Sequence, residues 1–152
     1  TRSFHVTGVQ TCALPICPHN VTNVLVNLGE TRALDNHPEG RPWRIALKDP
    51  RDPKRTEQTI DLANMSVATS GGYGTVFDGE GRFHHLFDPR TGKSAGQHIG
   101  VSIVTPRATQ ADALSTAVYV SPASETQRIL SRAGNATAHV TYPDGTRRTF
   151  SA

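Results

Sequence analysis

Apolar residues alternate with polar ones along much of the chain, and this pattern predicts short β-strands. Residues 21–29 alternate, then run apolar up to a glycine, as expected of a buried strand. Residues 42–48 carry apolar side chains at every second position, which predicts a half-buried strand. The polar stretch 49–58 is typical of a hairpin connection to a further strand at residues 59–62.

Four more strands are predicted in the middle of the chain. Residues 65–69 form one of them, and residues 98–105, with Ile and Val at four positions, form another. Between them, residues 75–77 and 83–87 flank the sequence Asp-Gly-Glu-Gly, which is a strong turn signal. We therefore expect a hairpin at this point.

Two helices are predicted in the C-terminal half. Thr109 is a suitable N-cap for the first helix. An apolar stripe at helical spacing follows it, formed by Ala111, Leu114, Ala117 and Val118. The second helix is expected to begin at Ser121 or Ser124 and to run through Arg132, where Gly134 ends it.

The chain is predicted to finish with a hairpin formed by residues 136–142 and 147–150, around a Pro-Asp-Gly turn. Strands thus come in hairpin runs, and the helices are grouped together. This order favours an α+β fold with a mostly antiparallel sheet and two helices in the C-terminal half over a doubly wound fold.

The N-terminal segment is interpreted separately. Residues 6–16 resemble the in-frame translation of a sequencing adapter, so residues 1–18 are expected to be an artefactual, disordered tail. Both cysteines, Cys12 and Cys17, lie within this segment, and no cysteine follows. A disulfide framework or a thiolate metal site is therefore unsupported.

The composition is that of one globular domain with a real core. Of the 152 residues, 36% are hydrophobic and 19% are charged, and the net charge is only +3. The densest basic run, residues 51–55, is interleaved with Asp and Pro, so a solvated loop explains it better than a nucleic-acid surface. No stretch approaches the roughly 20 apolar residues of a membrane span.

Residues 84–92, with the sequence His-His-Leu-Phe-Asp-Pro-Arg-Thr-Gly, form the first candidate for chemistry. Asp88 to Gly92 predict a tight turn with or without a function. On such a turn Arg90 could hold a phosphate as a bidentate fork, and His85 could orient or transfer a proton. Adjacent residues of a strand point to opposite faces, so at most one of the two histidines should face a site.

The second candidate is the pair Asp112 and Thr116. Four residues apart, their oxygens lie on one face of the first predicted helix and suit a shared Mg²⁺ ion. The alternative is structural, because an Asp stabilises a helix N-terminus and a mid-helix Thr often bonds to its own turn. Spacing alone leaves both interpretations open.

The third candidate is the sequence Thr-Ser-Gly-Gly-Tyr-Gly at residues 69–74. Its glycines allow close approach to the backbone, and its hydroxyls can donate to phosphate oxygens. It matches neither a Walker loop nor the dinucleotide fingerprint. A lone glycine cluster is more often a bend between two strands.

These blocks resemble, in the same order, the C-terminal part of the FAD:protein FMN transferase (ApbE-like) family. The resemblance covers about residues 20–152, so residues 19–152 are interpreted as the C-terminal portion of one such domain. It is carried by five segments: residues 25–29 (Leu-Val-Asn-Leu-Gly), Trp43 with Asp49-Pro50, residues 68–71 (Ala-Thr-Ser-Gly), His85 with residues 88–92, and residues 111–114 (Ala-Asp-Ala-Leu) with Thr116.

The resemblance implies Mg²⁺-dependent transfer of FMN from FAD to a Ser or Thr hydroxyl of a target flavoprotein, with release of AMP. It implies Asp112 and Thr116 as metal ligands, and His85 or Asp88 as the catalytic base. The flavin-site residues that it implies or that the turn motif suggests are Thr69, Ser70, Gly71, His85, Arg90 and Thr91.

Two departures and an expected truncation accompany the resemblance. Glu30 and Gly72 stand where the family often has Gly and Asp. The family's N-terminal half is not matched, so we expect this chain to contain only part of the flavin cleft and of the metal's ligand shell. Whether the chain is active alone stays open.

Mg²⁺-dependent FAD hydrolysis and non-catalytic flavin binding remain alternatives. A periplasmic or membrane-anchored location is expected from the resemblance alone.

Overall fold

Residues 22–152, which the computed structural model describes, form three antiparallel sheets and two α-helices. The expectations for residues 1–18 lie outside these residues. In chain order the strands are β1 (Val24–Asn27), β2 (Thr31–Leu34), β3 (Trp43–Lys48), β4 (Thr56–Leu62), β5 (Ser66–Ser70), β6 (Phe87–Asp88), β7 (Lys93–Ser94), β8 (Gly100–Thr105), β9 (Thr137–Thr141) and β10 (Arg147–Ser151). The helices are α1 (Ala108–Val120) and α2 (Thr126–Ala133).

The main sheet has six strands in the order β1-β2-β5-β8-β9-β10, and every neighbouring pair is antiparallel. Helix α1 lies across β5 and β8, and α2 packs beside β10 and α1. The predicted α+β class with a mostly antiparallel sheet is confirmed. No helix among residues 22–152 is long and apolar enough to cross a membrane.

The helices cover one face of this sheet and enclose the larger core. Burial of apolar surface between α1, α2 and the sheet stabilises the fold at about 25 cal/mol per Å². The buried members of this cluster are Leu86, Ala95, Val101, Ile103, Val118, Tyr119, Leu130, Ala136, Ala138 and Val140.

A separate hairpin, β3–β4, packs over part of the sheet through a smaller core. Leu47 and Leu62 of the hairpin meet Ala33 and Val67 of the sheet, and all four are buried. Within β5, Ala68 and Ser70 lie on the α1 side while Val67 and Thr69 lie on the hairpin side, because side chains alternate along a strand.

The first predicted strand is shorter in the structure, and a further strand follows it. β1 ends at Asn27, and the chain turns through Gly29, whose φ of +115° favours glycine. It returns as β2, which was not predicted. Only Thr31 and Ala33 of its four residues are buried, and so short an alternation gives little periodic signal.

The hairpin predicted at residues 75–77 and 83–87 is reduced to a single bridge between Val76 and His84. The carboxylate of Asp78 accepts the backbone N–H of Phe83, so it satisfies a donor that the ladder would use. The paired segments here are instead β6 and β7, two residues each.

Helix α1 begins two residues earlier than predicted. Arg107 is at the N-cap and Thr109 lies inside the first turn. The hydroxyl of Thr105 accepts the N–H of Arg107 and donates to its carbonyl oxygen, which shapes the entry to the helix. Helix α2 ends before Gly134 as predicted, and this glycine has a φ of +62°.

Two histidines in or beside the sheet should make stability depend on pH. His98 is 1% exposed and donates from Nδ1 to the carbonyl oxygen of Tyr119 at 3.1 Å, and burial lowers its pKa. Burial also lowers the pKa of His139, whose Nδ1 lies 2.9 Å from Nε2 of Gln58. Both rings are therefore held in the neutral form.

The free energy of unfolding should fall as the pH drops below about 6.5, because the unfolded chain takes up protons there first. Denaturant titrations between pH 8 and pH 5 measure this slope. The variant with His98→Gln and His139→Gln should have a shallower slope, and its value at pH 8 separates any packing loss from titration. Equal slopes for the two proteins would contradict the assignment.

Candidate functional site

Helix α1 presents Asp112 and Thr116 on one face, as the spacing predicted. Thr116 is exposed and Asp112 is partly exposed, so both can be reached from solvent. Asp112 is the fifth residue of the helix, because the helix begins at Ala108.

The end of strand β5 meets this part of α1 through hydroxyl groups. The Oγ of Ser70 lies 2.8 Å from Oγ of Ser115 and 3.1 Å from Oγ1 of Thr116. The Oγ of Ser115 also donates to the carbonyl oxygen of Asp112 at 2.9 Å. The structure therefore brings a predicted flavin-site residue, Ser70, against the predicted metal pair.

The glycine-rich segment after β5 is held to α1 one turn further along. The N–H of Gly72 donates to the phenolic oxygen of Tyr119 at 3.1 Å, and Tyr119 is 2% exposed. A Cβ atom at Gly72 would lie 2.6 Å from the ring of His84, so this position needs glycine for space. The glycine that departs from the family pattern is thus required by its local packing.

The two adjacent histidines have different environments, as predicted for neighbours on an extended segment. His84 is buried: its Nε2 donates to the carbonyl oxygen of Ala95, and its Nδ1 accepts the N–H of Leu86. His85 is exposed, and its Nδ1 lies 3.2 Å from the carbonyl oxygen of Thr75. Since a carbonyl only accepts, the neutral His85 ring carries its proton on Nδ1 and a lone pair on Nε2.

The predicted turn after β6 is held by an ion pair. Both oxygens of Asp88 accept from the guanidinium of Arg90 at 2.8 Å, and this contact lowers the pKa of the carboxyl. Arg90 also donates to the carbonyl oxygen of Val120 at the end of α1. Thr91 is exposed, and its hydroxyl accepts the N–H of Lys93. Arg90, expected to bind phosphate, is engaged by Asp88.

Thr69 lies apart from the other predicted site residues. Its Oγ1 lies 2.7 Å from Oγ of Ser102, on the face of the sheet that the β3–β4 hairpin covers. There it lines a cleft of about 350 Å³ together with Asn27, Lys48 and Tyr73. Burial, and secondarily the charge of Glu57, raises the pKa of Tyr73. Gly71 is buried at the crossing between this cleft and α1.

Two contact residues, Ser115 and Tyr119, were missed by the sequence analysis. Both are buried and lie four residues apart on the face of α1 that meets the sheet. Their signal was present: they follow Ala111 by four and eight residues, the spacing of a helical stripe. Because both residues are polar, a search for a purely apolar stripe does not include them.

The donor set on α1 fits a hard divalent cation. A carboxylate and a hydroxyl supply oxygen only, and Mg²⁺ prefers oxygen ligands while keeping several waters. Within residues 22–152, no three His, Cys, Asp or Glu side chains come close enough to hold a metal ion by themselves. Asp112 and Thr116 would therefore hold such an ion together with water or phosphate oxygens.

Solved structures of ApbE proteins have this fold. The ApbE protein of Thermotoga maritima is 32% identical, with a TM-score of 0.73 over 84% of this chain and 42% of that one. The flavinyl transferase ApbE of Pseudomonas stutzeri is 30% identical, with a TM-score of 0.71 over 93% of this chain and 46% of that one. The antiparallel sheet and its covering helices thus place the chain in the structural class of the ApbE proteins.

The chain belongs to the ApbE family, whose sequence model matches residues 8–140. This match begins inside the segment that the sequence analysis set apart as an artefact. The FAD:protein FMN transferase of Haemophilus influenzae is 36% identical over 118 residues, which cover 74% of this chain and 34% of that protein. The chain thus spans about a third of the length of this relative.

Replacing Tyr119 by Phe should lower the free energy of unfolding by about 1–3 kcal/mol, because the buried N–H of Gly72 loses its acceptor. Equilibrium denaturation with urea measures the change. The matched control is Tyr73→Phe, since the side chain of Tyr73 is 38% exposed and water can satisfy its neighbours. A loss no larger than in this control would show that the hydrogen bond does not hold the loop.

Proposed function

We propose that the protein to which this chain belongs transfers the FMN part of FAD to a Ser or Thr hydroxyl of an acceptor flavoprotein. The reaction is Mg²⁺-dependent and releases AMP. The relatives named FAD:protein FMN transferase support the transfer of flavin. The metal dependence goes beyond these names and rests on the oxygen donors Asp112 and Thr116. The acceptor hydroxyl also goes beyond them and rests on the exposed His85, whose ring could accept a hydroxyl proton.

One arrangement carries the proposal. The end of β5, the glycine-rich residues 72–74 and the segment around His85 converge beside helix α1. Ser70 contacts Thr116, and Gly72 donates to Tyr119. Gly74, two residues on, lies so close to His85 that a Cβ atom there would be 3.3 Å from the ring. Oxygen ligands for a cation, a glycine-rich backbone and an exposed imidazole thus share one region, as transfer of a phosphoryl-linked group requires.

His85 is the better placed of the two candidate bases. Its ring is exposed, and the neutral form has the Nε2 lone pair free to accept a proton from an acceptor hydroxyl. The deprotonated oxygen would attack the FMN phosphorus, and the pyrophosphate bond to AMP would break. Asp88 is a weak proton acceptor, because its pairing with Arg90 lowers its pKa. We assign Asp88 to holding the turn.

Asp112 and Thr116 would hold Mg²⁺, and Ser70 supports Thr116 from the strand side. A bound Mg²⁺ ion offsets negative charge on pyrophosphate oxygens. The backbone of the glycine-rich segment allows a phosphate to approach closely, since Gly71 and Gly72 carry no side chains. Arg90 lies next to this region but holds Asp88.

Incubation with FAD, MgCl₂ and an acceptor peptide containing Ser or Thr tests the proposal. A peptide mass increase equal to FMN less one water, absent when EDTA chelates the Mg²⁺, is expected. Because the chain spans a third of its Haemophilus influenzae relative, the assay is run on both proteins. Free FMN without peptide modification would indicate hydrolysis instead, and unchanged bound FAD would indicate flavin binding alone.

His85→Ala should lower the transfer rate by about 10²- to 10⁴-fold, the range for loss of a general base. His37→Ala is the matched control, because His37 lies in the connection between β2 and β3 and contacts Trp43. An unchanged rate in the His85 variant would remove this residue from the mechanism.

A further inference from the structure

Three hydroxyl groups form a connected chain between the sheet and the metal-binding face of α1. The Oγ of Ser70 lies between Oγ of Ser115, at 2.8 Å, and Oγ1 of Thr116, at 3.1 Å. Ser115 is 1% exposed and Ser70 is 8% exposed, whereas Thr116 is exposed. These hydrogen-bonded hydroxyls therefore lead from the protein interior to the surface.

The direction of each hydrogen bond follows from one fixed acceptor. The Oγ of Ser115 donates its single hydrogen to the carbonyl oxygen of Asp112 at 2.9 Å, and a carbonyl can only accept. Ser115 must then accept from Ser70. With its own hydrogen used, Ser70 can only accept from Thr116. All three hydroxyls are satisfied by this arrangement.

We infer that Ser115 is a positioning residue: it accepts the hydrogen of Ser70, so that Thr116 donates inward and presents its hydroxyl oxygen as a cation ligand. Thr116 donates inward to Ser70, so the lone pairs of its Oγ1 are left free on the exposed side of the helix. A metal ligand needs a lone pair directed at the ion, and partners behind a ligand commonly fix that orientation. The inference rests on the proposed function, which places a divalent cation between Asp112 and Thr116.

Removing the hydroxyl of Ser115 should reverse the direction of the hydrogen bond between Ser70 and Thr116. In Ser115→Ala the hydrogen of buried Ser70 loses its acceptor, and an unpaired buried donor is unfavourable. The nearest remaining acceptor is Oγ1 of Thr116, at 3.1 Å. Once Ser70 donates to Thr116, one of the lone pairs needed by the cation is occupied. Ser115→Ala should therefore weaken cation binding although Ser115 does not touch the ion.

Removing Ser70 should have a smaller effect. In Ser70→Ala, Ser115 keeps its bond to Asp112, and Thr116 can donate to a carbonyl oxygen of its own helix. Its lone pairs stay free. The double variant with Ser70→Ala and Ser115→Ala should then bind the cation better than Ser115→Ala alone. Two residues with merely structural roles would give losses that add instead.

Binding of Mn²⁺, a spectroscopic substitute for Mg²⁺ with the same preference for oxygen, tests the inference without activity. Electron paramagnetic resonance titration of the full chain gives the Kd of each variant. We expect a Kd about 10-fold higher for Ser115→Ala, in the range for loss of a partner behind a ligand. The double variant should recover to within about 3-fold of the parent. Thr116→Val, which removes the ligand itself, sets the upper limit.

The matched control is Ser131→Ala on α2, where an exposed serine donates to the carbonyl oxygen of Gln127. Its Kd should equal that of the parent. Circular dichroism and urea midpoints establish that each variant folds. If Ser115→Ala does not fold, Ser115→Thr replaces it; this variant keeps the hydroxyl donor and should bind Mn²⁺ like the parent. A larger loss in the double variant than in Ser115→Ala overturns the inference alone. Absence of Mn²⁺ binding by the parent overturns the proposed metal site as well.

Discussion

The packing of α1 across β5 and β8 is the constraint on which the rest of the site depends. It buries Val118 and Tyr119 against the sheet, and it brings Ser115 to the end of β5. Two polar contacts then lock the relative position of strand and helix, one through Ser70 and one through the N–H of Gly72. Buried polar groups that are fully paired restrict a packed interface to one alignment.

The alternation of side chains along β5 divides the candidate flavin residues between two faces. Thr69 bonds Ser102 beneath the β3–β4 hairpin, while Ser70 bonds Ser115 beneath α1. A single strand end therefore contributes to two regions, one beside the cleft that Tyr73 lines and one beside the proposed cation ligands. The glycines that follow carry the backbone from one region to the other, and only a residue without a side chain fits beside His84.

Much of the fold followed from periodicity in the sequence, because long alternating or helical patterns bury one face. Short elements could not be predicted in this way. Strand β2 has only four residues, and in the expected hairpin the carboxylate of Asp78 accepts an N–H that would otherwise pair between the strands. At the site, the spacing of Asp112 and Thr116 was sufficient to place both on one helix face. Helical spacing after Ala111 indicates that Ser115 and Tyr119 face the sheet. Their hydrogen-bond partners could not be predicted, because Ser70 and Gly72 are distant from them in the sequence.

The polar contacts of the site form within the protein itself and need no ligand. The carboxylate of Asp88 is paired with Arg90, and both ring nitrogens of His84 bond backbone groups. The hydroxyl of Ser115 is paired with Asp112 and Ser70. The groups that keep free capacity are those at the surface: the Nε2 of His85, the lone pairs of Thr116 and the carboxylate of Asp112. A site in which every buried group is paired loses little by reorganisation when a charged substrate arrives. Under the proposed function, a few exposed atoms would carry the chemistry while their neighbours fix where those atoms lie.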